Sequence, residues 1–249
     1  MFDMGLINAV RAIIKKIPDH RQTMLFSATM SREVRDLVAS IQKNPTLIEI
    51  GQSSTPVKSV TQQFYSVPQP AKTNLLVHIL QDKAIQTMLV FSRTKHGADR
   101  IAKHLDRKGI LSAAIHSNRS QSQRQRTLEA FKQRQVRVLV ATDLAARGID
   151  VDGISHVVNY DTPAFPEDYI HRIGRTGRAS KTGIAMTFVS SDEKKYIRRI
   201  EQLVGCRCTM ELYPGFDHKE KDTVSEPEVL HRNSMVFKKK IRPFRGRRF

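Results

Sequence analysis

Acidic residues are scarce in this chain relative to basic ones: 24 Asp and Glu stand against 42 Lys and Arg in 249 residues, a formal net charge of +18. That excess is far beyond what solubility requires and predicts attraction to a polyanion, nucleic acid first. Long apolar runs are missing too. None approaches the roughly 18 residues that a spanning helix needs, so a membrane-inserted protein is not expected. The start, Met1-Phe2-Asp3-Met4-Gly5, lacks the positive charge of a secretory leader, which makes cytoplasmic residence the default expectation. Cysteine occurs only as Cys206 and Cys208, too few sulfurs for a structural zinc site. Two residues apart on a strand, they would share one face and read as packing residues ahead of ligands or redox thiols. No metal ligands are assigned, and no internal repeat is visible.

What is present is enough to fold, with a hydrophobic fraction of 39%. Residues 1–50 look like the end of a larger unit. Apolar positions at helical spacing over 6–17 stop at Pro18, and a second helix is expected over 31–43. Short strands are expected at 23–26 and 47–50. Two helices and two strands cannot enclose a core, so this segment is expected to expose an apolar face. It would dock on the rest of the chain, be poorly ordered, or drive association. Residues 51–59 read as a polar linker.

From 60 to 212 the pattern becomes regular. Strands are expected at 63–67, 87–91, 113–116, 136–141, 156–160, 184–189 and 207–212, alternating with amphipathic helices such as 97–105 and 194–203. Ser120 with Gln123 and Ser190 with Glu193 have the spacing of capping boxes. The alternation predicts an α/β domain with a doubly wound parallel sheet, whose ligands would lie at the carboxyl ends of the strands. Residues 213–249 form a basic tail, expected to be disordered. Phe244 and Phe249 among its arginines offer stacking surfaces to RNA.

Several polar stretches fall where strands should end: Phe91-Ser92-Arg93-Thr94, the run from Ala141 to Asp150, and Asn159-Tyr160-Asp161. The octapeptide His171-Arg172-Ile173-Gly174-Arg175-Thr176-Gly177-Arg178 joins them. On a helical turn His171, Arg175 and Arg178 would share one face, suited to phosphate because guanidinium forks grip its oxygens bidentately. By itself the octapeptide reads equally as a solvated basic helix face, and Asp150 with Asp152 as a turn-capping pair.

Taken in order, these stretches resemble the motifs of the DEAD-box ATP-dependent RNA helicases of superfamily 2. Ser27-Ala28-Thr29 is similar to the third motif, Phe91 to Thr94 to the fourth, and Gln121 with Arg124 to a Q-x-x-R element. Ala141 to Asp150 is similar to the fifth motif and His171 to Arg178 to the sixth. The resemblance, with a leaning toward the compact bacterial branch with a basic tail, implies a RecA-like helicase C-terminal domain preceded by an incomplete fragment of a second RecA-like domain. It further implies that Arg175 and Arg178 are arginine fingers acting on the γ-phosphate, and that His171 links the sixth motif to the opposite domain. Asp150 would accept a hydrogen bond from the ATP ribose, with Gly148 allowing close backbone approach. Arg93, Gln121, Arg124 and Thr142 would hold the RNA backbone, and Ser27, Thr29 and Arg147 would couple the domains.

The family grips ATP and Mg2+ with a phosphate loop and an acidic motif, and no G-x-x-x-x-G-K-[ST] occurs here. Residues 179–183 imitate its end but precede a strand, and Asp192-Glu193 and Glu167-Asp168 lack the acidic motif's context. ATP and Mg2+ are therefore expected in the intact enzyme and not held by this chain alone. Its expected partners are RNA and a separate polypeptide supplying the N-terminal helicase domain. A non-catalytic RNA-binding or annealing module, or a truncated gene product, are the alternatives.

Overall fold

In a computed structural model of the chain, the residues described are 6–27, 30, 32–49, 59–147, 149, 151–177 and 182–217. Of the linker expected at 51–59 only Ser59 is among them, and of the tail expected at 213–249 only 213–217.

Seven parallel strands form one sheet: β1 Val60–Ser66, β2 Met88–Phe91, β3 Ser112–Ile115, β4 Val138–Ala141, β5 His156–Asn159, β6 Gly183–Val189 and β7 Met210–Glu211, in the order β3-β4-β2-β5-β6-β1-β7. Parallel neighbours need crossovers, and helices supply them. Two helices, α1 Ile7–Ile14 and α2 Arg32–Ile41, precede the sheet. Within it follow α3 Lys72–Ile79, α4 Lys95–Arg107, α5 Gln121–Lys132, α6 Asp143–Ala146, α7 Pro166–Ile173 and α8 Lys194–Val204.

The inner strands alternate between two cores, as a sheet covered on both faces must. Met88, Val90, Val138, Val140 and Phe188 turn to one side, against Leu75, Leu76, Ile101 and Leu105 of α3 and α4. Leu89, Phe91, Leu139 and Ala141 turn to the other, against Phe131 of α5 and Ala145 of α6. Tyr169 and Ile173 of α7 and Ile197 and Ile200 of α8 continue that second face over Val60, Phe64 and Ala185. Both expected capping boxes form: Ser120 closes the start of α5, and Ser190 closes a 3-10 turn, Ser191–Glu193, that leads into α8.

Four expectations are corrected. Residues 23–26 and 47–49 form no strand, because a strand needs a neighbouring ladder and none of the described residues offers them one. Met24, Phe26, Leu47 and Ile48 are exposed. The last strand shrinks to two residues at the sheet edge, paired only with Phe64 and Tyr65. Cys206 and Cys208 therefore precede it rather than sharing a strand face: Cys206 is exposed and Cys208 buried, with burial pushing its thiol up to about 12. Finally, α7 ends at Ile173 with Gly174 as its C-cap, so His171 and Arg175 do not continue along one helical face.

The loop leaving α7 is fixed by close approach. Gly177 has φ +68°, and its carbonyl accepts a hydrogen bond from Ser59 Oγ at 2.8 Å. Thr176 Oγ1 donates to Ser155 O at 3.2 Å, and the Gly183 nitrogen donates to Ser59 O at 2.9 Å. A Cβ at Gly183 would sit 2.5 Å from the Gly177 nitrogen and press on Thr176. Gly183→Ala should therefore cost about 1–3 kcal/mol of stability, read as a lower urea midpoint at unchanged m-value.

Candidate nucleotide and nucleic-acid interface

The sheet delivers its polar residues to one edge. β2 runs into Ser92 and Arg93, β4 into Thr142 and α6, β5 into Tyr160 and Asp161, and β6 into Ser190. Pro166 sits in the first turn of α7, where its missing N–H costs nothing, and sets the phase that turns Tyr169, Arg172 and Ile173 inward.

Arg172 is the centre of this edge. It is only 3% exposed, yet its guanidinium is nearly fully partnered. Nε and Nη2 donate to the two carboxylate oxygens of Asp143 at 2.6 and 2.8 Å, and Nη1 donates to Asp161 O at 2.7 Å and to Asn159 Oδ1 at 3.3 Å. Its plane lies 5.1 Å from the Phe91 ring centroid. One side chain thus binds together the ends of β2 and β5 and the start of α6.

Around that clamp opens a concavity of about 270 Å3, whose rim carries Arg147, His171 and Arg175. Arg175 Nη1 donates to Ile149 O at 3.1 Å, which ties the stretch after α7 to the stretch after α6. Arg147 follows the last turn of α6, whose first residue is held by Arg172. Two guanidinium groups and an imidazole on its rim, with the Asp168 carboxylate also in the lining, offer donors to an anion.

The residues assigned to the RNA backbone are distributed along the same edge. Thr142 is the N-cap of α6 without using its hydroxyl as a cap. Gln121 opens α5 and is exposed, while Arg124, one turn on, reaches Ala145 O of α6 at 3.5 Å. Arg93 has its backbone N–H on Asp161 Oδ2 at 2.8 Å and its Nη2 on Glu193 Oε1 at 3.0 Å. Ser27 is exposed in the N-terminal segment. Thr29, Gly148, Asp150 and Arg178 lie outside the described residues.

The loop that leads into α5 is braced by charge. Asp99 of α4 lies 3.0 Å from buried His116 Nε2 and 2.7 Å from Arg119 Nη2. Burial alone would raise the Asp99 carboxyl, but the hydrogen bond from His116, the His116 charge and Arg119 together bring it below the usual value.

Arg172 lies inside the octapeptide but is not among the residues that the sequence marks out, because its role depends on partners distant in the chain. The inward phase of α7 was the available signal: Tyr169 and Ile173 are apolar at helical spacing, and Arg172 stands between them. Asp143 and Glu193 were likewise passed over, the second because it was weighed only as a cap or as part of an acidic motif.

Comparison with known proteins agrees with this architecture. The family described as "Helicase conserved C-terminal domain" matches residues 71–180. The chain is 42% identical over 217 residues to the ATP-dependent RNA helicase CshA of Listeria monocytogenes, covering 87% of this chain and 42% of that protein. Among solved structures, the E. coli DEAD-box protein SrmB, in a crystal with the regulator of ribonuclease activity A, is 32% identical at a TM-score of 0.59. That match covers 62% of this chain and 91% of the SrmB chain. S. cerevisiae Dbp5 bound to RNA and ADP BeF3 matches at TM-score 0.75 and 29% identity, over 84% of this chain and 55% of that one. A parallel RecA-like sheet with its polar motifs gathered on one edge is the helicase C-terminal fold. The chain belongs to the DEAD-box ATP-dependent RNA helicase family and corresponds to its C-terminal portion. It spans about two fifths of the length of CshA. Among the described residues no helix is long and apolar enough to cross a membrane.

Two predictions follow from this edge's chemistry. Arg172→Lys should lose about 3 kcal/mol in chemical denaturation, because a point charge cannot serve both Asp143 oxygens and the Asp161 carbonyl together. Asp99, with a depressed folded pKa, contributes stability that is fully present above the ordinary carboxylate value of about 3.9. That contribution is lost as pH falls through the lowered value. Asp99→Asn should therefore flatten the fall of the urea midpoint in that acid window.

Proposed function

We propose that this chain works as the C-terminal half of an ATP-dependent RNA helicase, completing a catalytic site on nucleotide gripped chiefly by the family's other half. The observation that carries this reading is the concavity rimmed by Arg147, His171 and Arg175 and held open by the Arg172–Asp143 pair. Its two rim guanidinium groups, Arg147 and Arg175, fit the polyphosphate end of ATP. Its size, about 270 Å3, lies below that of pockets that enclose a whole small ligand, roughly 300–1,000 Å3, and the sequence contains no phosphate-loop motif. In this reading ATP and Mg2+ are not held by these residues alone.

Arg175 and Arg178 would stabilise the charge that develops on the γ-phosphoryl group, chemistry that ATP supplies when bound. Asp150 would orient the ribose, with Gly148 giving the backbone room. His171 would meet the opposite domain across the cleft, and Ser27, Thr29 and Arg147 would transmit its closure. Arg93, Gln121, Arg124 and Thr142 would hold RNA phosphates, which positions the strand without reading its bases. Residues 60–212 are the domain that does this. Residues 1–50 belong to the end of the preceding domain, 51–59 to the linker, and 213–249 to a basic tail that adds affinity.

The test is hydrolysis and binding with the full chain. Alone it should show no RNA-stimulated ATP hydrolysis, and mixing with a separately prepared N-terminal helicase half should restore it. Arg175→Ala should then cost on the order of a thousandfold in rate. Robust hydrolysis by the chain alone would overturn the division of labour. RNA affinity should fall steeply with salt and weaken on Arg124→Ala. If removing residues 238–249 abolished binding while Arg124→Ala changed nothing, binding would belong to the tail and the annealing-module reading would replace this one.

A further inference from the structure

Beside the concavity, the same sheet edge holds a second charged cluster, centred on Glu193. This carboxylate is buried, its side chain only 4% exposed, and both oxygens are saturated. Oε1 accepts from Arg93 Nη2 at 3.0 Å and from the Thr162 nitrogen at 3.2 Å. Oε2 accepts from Lys72 Nζ at 2.5 Å and from the nitrogen and Oγ of Ser190, each at 3.1 Å.

The two cations differ in placement. Lys72, opening α3, is completely buried and also donates to Tyr160 O at 2.8 Å. Burial pulls its ammonium below the ordinary value, the Glu193 carboxylate opposes that pull, and Arg93 adds to it, which registers the repulsion between the two cations. Arg93 instead has a side chain 54% exposed, so its fork is anchored on one side and open to solvent on the other. Its backbone is pinned separately through Asp161. One carboxylate thus pairs with the inner cation and holds the outer one, while Asp161 adds a second negative charge beside them.

We propose that Glu193 is the positioning residue for Arg93: it anchors the guanidinium at the end of β2 in the orientation from which Arg93 grips an RNA phosphate, without touching RNA itself. This rests on the assignment of Arg93 to the RNA backbone. Glu193 sits at the start of α8, outside every helicase-like motif in the sequence, and acts on the fourth motif through a single hydrogen-bonded ion pair.

Glu193→Gln alone would strand Lys72 as a buried, unpaired charge and endanger folding. The double variant Lys72→Met/Glu193→Gln removes both buried charges and leaves the net charge unchanged, so long-range attraction to RNA is preserved. Binding of a single-stranded oligouridylate to the full chain is measured by fluorescence anisotropy across a KCl series, with folding checked by thermal melting. Arg93→Ala in the native background is expected to weaken binding about ten-fold, the scale of one hydrogen bond to a charged group. The double variant should weaken it by a similar factor and lower the slope of log K against log[salt] by about 0.7, one phosphate contact on a single strand. Arg93→Ala added to the double variant should then change affinity less than about two-fold, since coupled residues are not additive.

A folded double variant that binds like the native chain overturns the proposal, as does one in which Arg93→Ala keeps its full effect. Tighter binding would overturn it in the opposite sense, with Glu193 sequestering Arg93. Should the double variant unfold, Glu193→Asp provides the same comparison, because it keeps the charge near Lys72 but withdraws it from Arg93 by one methylene. An Arg93→Ala effect missing even from the native background overturns the RNA role of Arg93 and this proposal together. A full effect in both backgrounds overturns only the positioning.

Discussion

The guanidinium of Arg172 has five N–H donors, and four hydrogen bonds to Asp143, Asn159 and Asp161 occupy them almost completely. A buried cation of this kind is stable only where acceptors surround it in its own plane, so it dictates where those acceptors lie. Asp143 begins α6, Asn159 ends β5, Asp161 follows it, and Phe91 beneath the guanidinium ends β2. The relative positions of two strand ends and two helices are therefore slaved to one side chain. Arg147, His171 and Arg175 face a common concavity because the elements that carry them cannot drift apart.

The same edge shows how a strongly basic protein arranges its few acids. Asp143, Asp161 and Glu193 all lie at the strand ends, and each accepts from internal donors: Arg172, the Arg93 backbone and Ser92, and the Lys72 cluster respectively. Asp143 and Glu193 compensate the buried Arg172 and Lys72, while Asp161 pins the backbone at the end of β2. Carboxylates at the edge thus order the strand ends, and Arg93 keeps the outer side of its fork in solvent.

Membership of the DEAD-box family accords with this division of roles, and so does the contrast between the sheet domain and what precedes it. In residues 60–212 the central strands β2 and β4 are buried throughout, whereas α1 contains no buried residue and α2 buries only Val34 and Leu37 among its apolar side chains. Amphipathic spacing made both helices recognisable, but spacing alone cannot supply the surface that an apolar face should cover. The strands expected at 23–26 and 47–50 show the same limit. A helix satisfies its own backbone, while a strand depends on a neighbour that local sequence does not name.

The amino-acid sequence carried the α/β class, the parallel order of elements, both capping boxes and the placing of polar motifs at strand ends. Each of these follows from local periodicity or from hydrogen bonds between residues three or four apart. It also carried the family resemblance, through motifs in a fixed order. Only the tertiary structure decided which arginine of the octapeptide turns inward, that α7 stops at Ile173, and that Glu193 binds Lys72 and Arg93 across separations of 121 and 100 residues. The physical reason is that a buried charge is defined by its partners. Arg172 and Arg175 are the same residue type three positions apart, and what separates a structural clamp from a rim cation is whether Asp143 and Asp161, brought in from other strands, stand opposite.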